Sequence, residues 1–164
     1  MWYLKSAPGK SLLYKPSQKF TVEGFSDADW ASSRSDRMST FDYCTFVGDN
    51  LVTWRIKKQI VVARSSAEAG YHAMAHTTSE MMWVSSLLHE IWFIVPIPTK
   101  MYYDINQPFS SLVTRYFISA QSISKLIAIL FMIWKNTITL YVRSEDQLGD
   151  ILTKPLAIIY FLFM

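Results

Sequence analysis

Three aspartates stand where an α/β chain gathers ligands. Asp27 lies at the polar tip of an alternating apolar stretch. Asp104 closes the run Lys100-Met101-Tyr102-Tyr103, and Asp150 falls within 145–153, which reads as a final helix before Pro155. In α/β sheets, ligands collect at strand ends near the point where strand order reverses. Carboxylates drawn together from separate elements repel unless a cation neutralises them, and an all-oxygen cluster suits the hard ions Mg²⁺ or Mn²⁺. Two such ions about 4 Å apart activate water and stabilise the leaving oxygen in phosphodiester hydrolysis. Aspartates at strand ends also serve as plain turn formers, and spacing alone leaves both readings open.

The elements that must carry these residues are legible from periodicity and turn chemistry. Val22 to Phe25 reads as a strand that ends in the polar tip Ser26-Asp27-Ala28-Asp29-Trp30. Tyr43 to Val47 is a second strand, Gly48-Asp49-Asn50 supplies a hairpin turn, and Leu51 to Lys57 is a third. On that third strand Trp54 and Ile56 share one face and Arg55 and Lys57 the other. Ser65 and Ser66 are N-cap candidates for a long helix from about Ala67 to Ile91. Met74, Met81, Val84, Leu87, Leu88 and Ile91 keep helical spacing and predict its buried face, with Trp83 and Trp92 also assigned to the core. Pro96 and Pro98 follow it, then a strand ending at Asp104. A short helix after Asn106, a second apolar helix over 124–134, a fifth strand Ile138 to Val142 and the helix 145–153 complete a mixed α/β sheet with helices packed on it.

Composition narrows the class. With 164 residues, 51% hydrophobic and 18% charged, the chain fits one folded domain and excludes intrinsic disorder. One cysteine, Cys44, excludes a disulfide framework and a cysteine-rich zinc module, and itself reads as a buried small hydrophobe. The apolar runs 126–134 and 156–164 are about half the roughly 20 residues a spanning helix needs, so no membrane partner is expected. A net charge of +3 permits a polyanionic partner without requiring one. No acidic residue occurs between Asp104 and Glu145. Trp54, Arg55, Lys57 and Lys58 offer stacking and charge to a phosphate backbone, or form an ordinary solvated hairpin face. His72 and His76 stand four apart on the long helix, but no third ligand is evident nearby.

The residues around these positions carry a resemblance. Gly24 to Ala31 reads G-F-S-D-A-D-W-A, close to the family pattern G-Y-[ST]-D-A-D-W-A. Tyr43 to Gly48, Asn50 to Trp54, Lys57-Lys58-Gln59, Val62 to Ala69, Tyr102 to Gln107 and Glu145 to Leu156 continue it in order. Over 21–156 the chain resembles the ribonuclease H region of the Pol polyprotein of copia-type LTR retrotransposons. Residues 1–20 resemble the end of the preceding reverse-transcriptase segment, and 157–164 form an apolar tail.

The resemblance implies an RNase H-like fold, a five-stranded mixed sheet whose first three strands form an antiparallel meander. It implies two Mg²⁺ or Mn²⁺ ions held by four carboxylates, hydrolysing the RNA strand of an RNA/DNA hybrid. Other Pol segments are implied partners, in the cytoplasm or nucleus. Carried over position by position, Asp27, Asp104 and Asp150 are the first, third and fourth carboxylates, catalytic and metal-binding alike. The second is the last acidic residue of S-S-x-E-A-E-Y, where this chain has Gly70. Glu68 is two residues away, about 200° around a helix, and points elsewhere.

Two further departures stand out. The family's R-[ST]-K-H-I is Ile123-Ser124-Lys125-Leu126-Ile127 here, without its arginine and histidine, and the tail 157–164 is more apolar than the family's. These changes resemble those of a decayed genomic copy or an altered reading frame. The expected function is therefore a retrotransposon-derived ribonuclease H domain impaired at Gly70. The alternatives are a non-catalytic nucleic-acid-binding remnant and a decayed product without stable function.

Overall fold

A computed structural model describes residues 14–33, 35–104, 137–143 and 146–148. The helices expected after Asn106 and over 124–134, the tail 157–164 and most of the stretch around Asp150 lie outside these residues.

Five strands form one sheet in the order β3-β2-β1-β4-β5. They are β1 (Val22–Asp29), β2 (Thr40–Val47), β3 (Asn50–Lys58), β4 (Thr99–Tyr103) and β5 (Thr137–Tyr141). Strands β1, β2 and β3 are an antiparallel meander, as expected, whereas β4 pairs parallel to β1 and β5 parallel to β4. A parallel neighbour needs a crossover, and α1 (Ser66–Glu90) supplies it between β3 and β4. The tight β2–β3 connection places Gly48 and Asp49 at φ +54° and +68°, left-handed values that glycine and aspartate tolerate in a hairpin turn. Residues 15–19 lie against this turn: Asn50 accepts from the Lys15 N–H at 2.8 Å and donates to the Lys15 carbonyl at 2.9 Å.

Helix α1 begins where the sequence predicts. Ser65 is the N-cap, its hydroxyl accepting from the Glu68 N–H at 3.2 Å. Met74, Met81 and Val84 are buried and join Val22, Tyr71, Met101 and Tyr103 in the main core. Glycine at position 24 lets the helix approach β1 closely: a Cβ there would lie 2.5 Å from the buried Met81 sulfur. The C-terminal half of the helix departs from the expectation. Trp83 is 57% exposed, Trp92 93%, and Leu87 and Ile91 are also exposed. The single stripe against β1 is filled by the small and medium residues Ala73, Met74, Thr77 and Met81, so Trp83 and Leu87 fall outside the covered sector. Trp92 lies beyond the last turn, at φ +68°.

Candidate active site

The first strand does not stop at a polar tip after Phe25; it runs through Asp29. Pairing with β2 from Val22↔Val47 to Asp29↔Thr40 holds Asp27 in extended backbone despite the low strand propensity of aspartate. Asp104 directly follows β4. The last aligned pair of β1 and β4 is Ser26↔Tyr103, and Asp27 and Asp104 are the residues that follow it in sequence. Two residues earlier, Phe25 and Tyr102 stack with ring centroids 4.6 Å apart and planes 17° apart. Phe25 and Tyr102 lie on the sheet face opposite α1, because Met101 and Tyr103 belong to the core under the helix, and Asp104 comes one residue after the last paired position of β4. Asp27 and Asp104 are both partly buried.

A third carboxylate escaped the sequence reading. Asp42 is directly opposite Asp27 in the β1–β2 register and is only 3% exposed. The register that reveals it depends on where the hairpin turn closes, a long-range property that a single motif does not display. Among the described residues, no group of three or more His, Cys, Asp or Glu side chains is placed to hold a metal ion. The two strand-end carboxylates are an all-oxygen pair suited to a hard cation, and the sequence-predicted third ligand, Asp150, lies outside the described residues. Gln147, three residues before Asp150 in sequence, is buried and donates from Nε2 to the Ser26 carbonyl at 2.8 Å.

Gly70 is buried in the second turn of α1, in ordinary helical backbone. It offers no oxygen donor. Glu68 does not take its place, because its Oε2 accepts from the Arg64 N–H at 2.8 Å, closing a capping arrangement with Ser65. The helix start is fixed further by Gln59, which donates to the Ala69 carbonyl at 2.8 Å, and by the Trp30 indole, which donates to the Ala63 carbonyl at 3.0 Å.

The four residues singled out for nucleic-acid contact do not share one surface. Arg55 and Lys57 lie opposite Tyr43 and Phe41 on the helix side of β3. Trp54 is on the other side, exposed, and Lys58 is ion-paired to Asp36 at 2.5 Å. The Asp36 carboxyl is held down to about 2 by hydrogen bonds from Lys58 first, then from Ser33 and the Met38 backbone. Cys44 is buried as expected, and burial, with the Asp42 charge adding to it, pushes its thiol well above the ordinary range. The described part of α1 is not apolar enough to cross a membrane, nor is any other described helix.

No family model matches the chain. It is 35% identical over 161 residues, 94% of its length, to the retrovirus-related Pol polyprotein from transposon RE1 of Arabidopsis thaliana, and 33% identical over 165 residues, 97% of its length, to that from transposon RE2 of the same plant. It spans 11% of the length of each. Among solved structures, LC11-RNase H1 in complex with an RNA/DNA hybrid superposes with a TM-score of 0.55 at 8% identity, covering 78% of this chain and 89% of that one. The chain is thus a homologue of one segment of the copia-type transposon Pol polyproteins, and it has the ribonuclease H fold.

Proposed function

We propose that this chain is a nuclease domain whose ancestral reaction is metal-dependent hydrolysis of the RNA strand of an RNA/DNA hybrid, and that Gly70 leaves this copy impaired. The observation that carries the reading is that Asp27, within β1, and Asp104, directly after the parallel neighbour β4, both come next after the aligned pair Ser26↔Tyr103. Asp27 and Asp104, with Asp150, would hold Mg²⁺ or Mn²⁺. Bound there, two such ions supply an activated water and a counter-charge for the leaving oxygen. Asp27 and Asp104 would hold the cation from backbone fixed by the β1–β2 pair Asp27↔Asp42 and by the β1–β4 pair Ser26↔Tyr103 just before them. Gln147 ties the segment leading to Asp150 down onto β1. In this reading 21–156 is the domain, 1–20 the end of a preceding reverse-transcriptase segment and 157–164 an apolar tail.

Gly70 also favours a second reading, hybrid binding without turnover, in which other Pol segments or the hybrid remain partners. Trp54 on one face of β3 and Arg55 with Lys57 on the other then act as separate contacts. The test is cleavage of a hybrid labelled on its RNA strand, with Mg²⁺ or Mn²⁺. The wild type is expected to cleave slowly or not at all. Gly70→Glu should gain on the order of a hundredfold, and Asp27→Asn should abolish the gain. Wild-type cleavage as fast as that of Gly70→Glu overturns the impairment. Absence of cleavage by both, together with hybrid affinity that does not fall with salt, overturns both readings.

A further inference from the structure

A second concave site lies on the helix side of the sheet, away from the strand ends that carry Asp27 and Asp104. It is a cleft of about 220 Å³ between β3 and α1, lined by Phe41, Tyr43, Arg55, Lys57, His76 and Glu80 among others. A neighbouring cleft of about 200 Å³ shares Phe41, Lys57 and His76 and adds His72. The two therefore meet at His76.

Three features distinguish this cleft. The His76 ring lies flat on Phe41, centroids 4.6 Å apart and planes 6° apart, so the imidazole is held at a fixed place in the wall. Arg55 and Lys57 are two residues apart on β3 and project into the same cleft, opposite Tyr43 and Phe41. The single carboxylate in the wall, Glu80, already accepts from the Tyr43 hydroxyl at 3.1 Å. Positive charge thus exceeds negative in the cleft. Partial burial lowers the His76 pKa, and the charges of His72, Arg55 and Lys57 lower it further. Arg55 and Lys57 form no ion pair with any described residue.

We propose that this cleft binds a phosphate group, with Arg55 and Lys57 as the charged donors and His76 as a third donor that becomes protonated when the anion is seated. A guanidinium and an ammonium converging on one concave wall match the geometry of phosphate oxygens. A dianion would offset the mutual repulsion of the cations and give His76 a reason to take up a proton. The same chemistry is offered by a free phosphate and by the backbone of a polynucleotide. The site is independent of the carboxylates and so of the nuclease reading; it rests on the hybrid-binding reading only for its duplex arm, and a response to inorganic phosphate stands even where hybrid binding fails.

The experiment follows the His76 imidazole by NMR in the full chain, titrated with pH in chloride, in inorganic phosphate and with a short RNA/DNA duplex at matched ionic strength. Tyr43 and Glu80, facing His76 across the cleft, and His72 on its own helix are monitored alongside. The expected result is a saturable upward shift of the His76 titration with phosphate or duplex. Lys57→Gln, which leaves the Tyr43–Glu80 bond in place, should weaken that response about tenfold. Arg55→Lys, which keeps the charge but not the fork, should weaken it less. A response to phosphate identifies a small-anion site, and a response to duplex alone identifies a backbone contact. An equal shift in chloride, no shift with either probe, or a response unchanged in Lys57→Gln overturns the proposal.

Discussion

Gln147 donates its side-chain N–H to the Ser26 carbonyl at 2.8 Å, joining residues 121 apart in sequence at the strand position just before Asp27. The side chain is buried, so the bond is shielded from water. It fixes Gln147 against the strand that carries Asp27.

Removing that tether has a defined cost. Gln147→Ala leaves the Ser26 carbonyl without this donor, and the expected loss is about 1–3 kcal/mol of unfolding free energy, read from urea denaturation. In a Gly70→Glu background the same change should also reduce cleavage, because the segment before Asp150 is no longer held. Unchanged stability would mean the bond is replaced by water.

Gly70 has a stability signature separate from chemistry. Its backbone is ordinary helix, unlike that of Gly48, so no conformational need keeps glycine there. Gly70→Ala should raise stability by up to about 1 kcal/mol while adding no oxygen ligand and no cleavage. Thermal melts of the two proteins check it.

Glu68 is predicted to be structural. Its carboxylate bonds the Arg64 N–H and its own N–H bonds the Ser65 hydroxyl. Glu68→Ala should cost about 0.5–2 kcal/mol through loss of the cap and leave divalent-ion affinity unchanged, as measured by calorimetry. A drop in ion affinity would show Glu68 acting as the missing ligand.

Acid sensitivity should be traceable to His76. Its folded pKa lies below the ordinary value of about 6.5, through partial burial first and then the charges of His72, Arg55 and Lys57. Between those two values the unfolded chain binds a proton that the folded chain does not, so stability falls as pH drops through about 6.5 toward the folded value. The difference between urea midpoints at pH 7.5 and 5.5 should shrink in His76→Gln. Glu80 and Tyr43, the other titratable groups facing His76, remain in that variant.

Much of this arrangement is written locally. Ser65 with Glu68 marks the helix start, Gly48-Asp49 the hairpin, and alternation separates Trp54 from Arg55. What local pattern does not carry is register. Only pairing across β1 and β2 sets Asp42 opposite Asp27, and only pairing across β1 and β4 makes Asp104 the neighbour of Asp27. Helical spacing likewise assigns Trp83 to an apolar stripe, but which stripe is covered depends on Gly24 admitting the Thr77–Met81 side of the helix.

The central claim is that two strand-end carboxylates share a divalent cation. Mn²⁺ titration of the isotopically labelled chain, read as paramagnetic broadening, tests it most directly. Saturable broadening centred on 25–29 and 102–104, displaced by Mg²⁺ and lost in both Asp27→Asn and Asp104→Asn, is the predicted result. Broadening centred elsewhere, or undiminished in those variants, would contradict it.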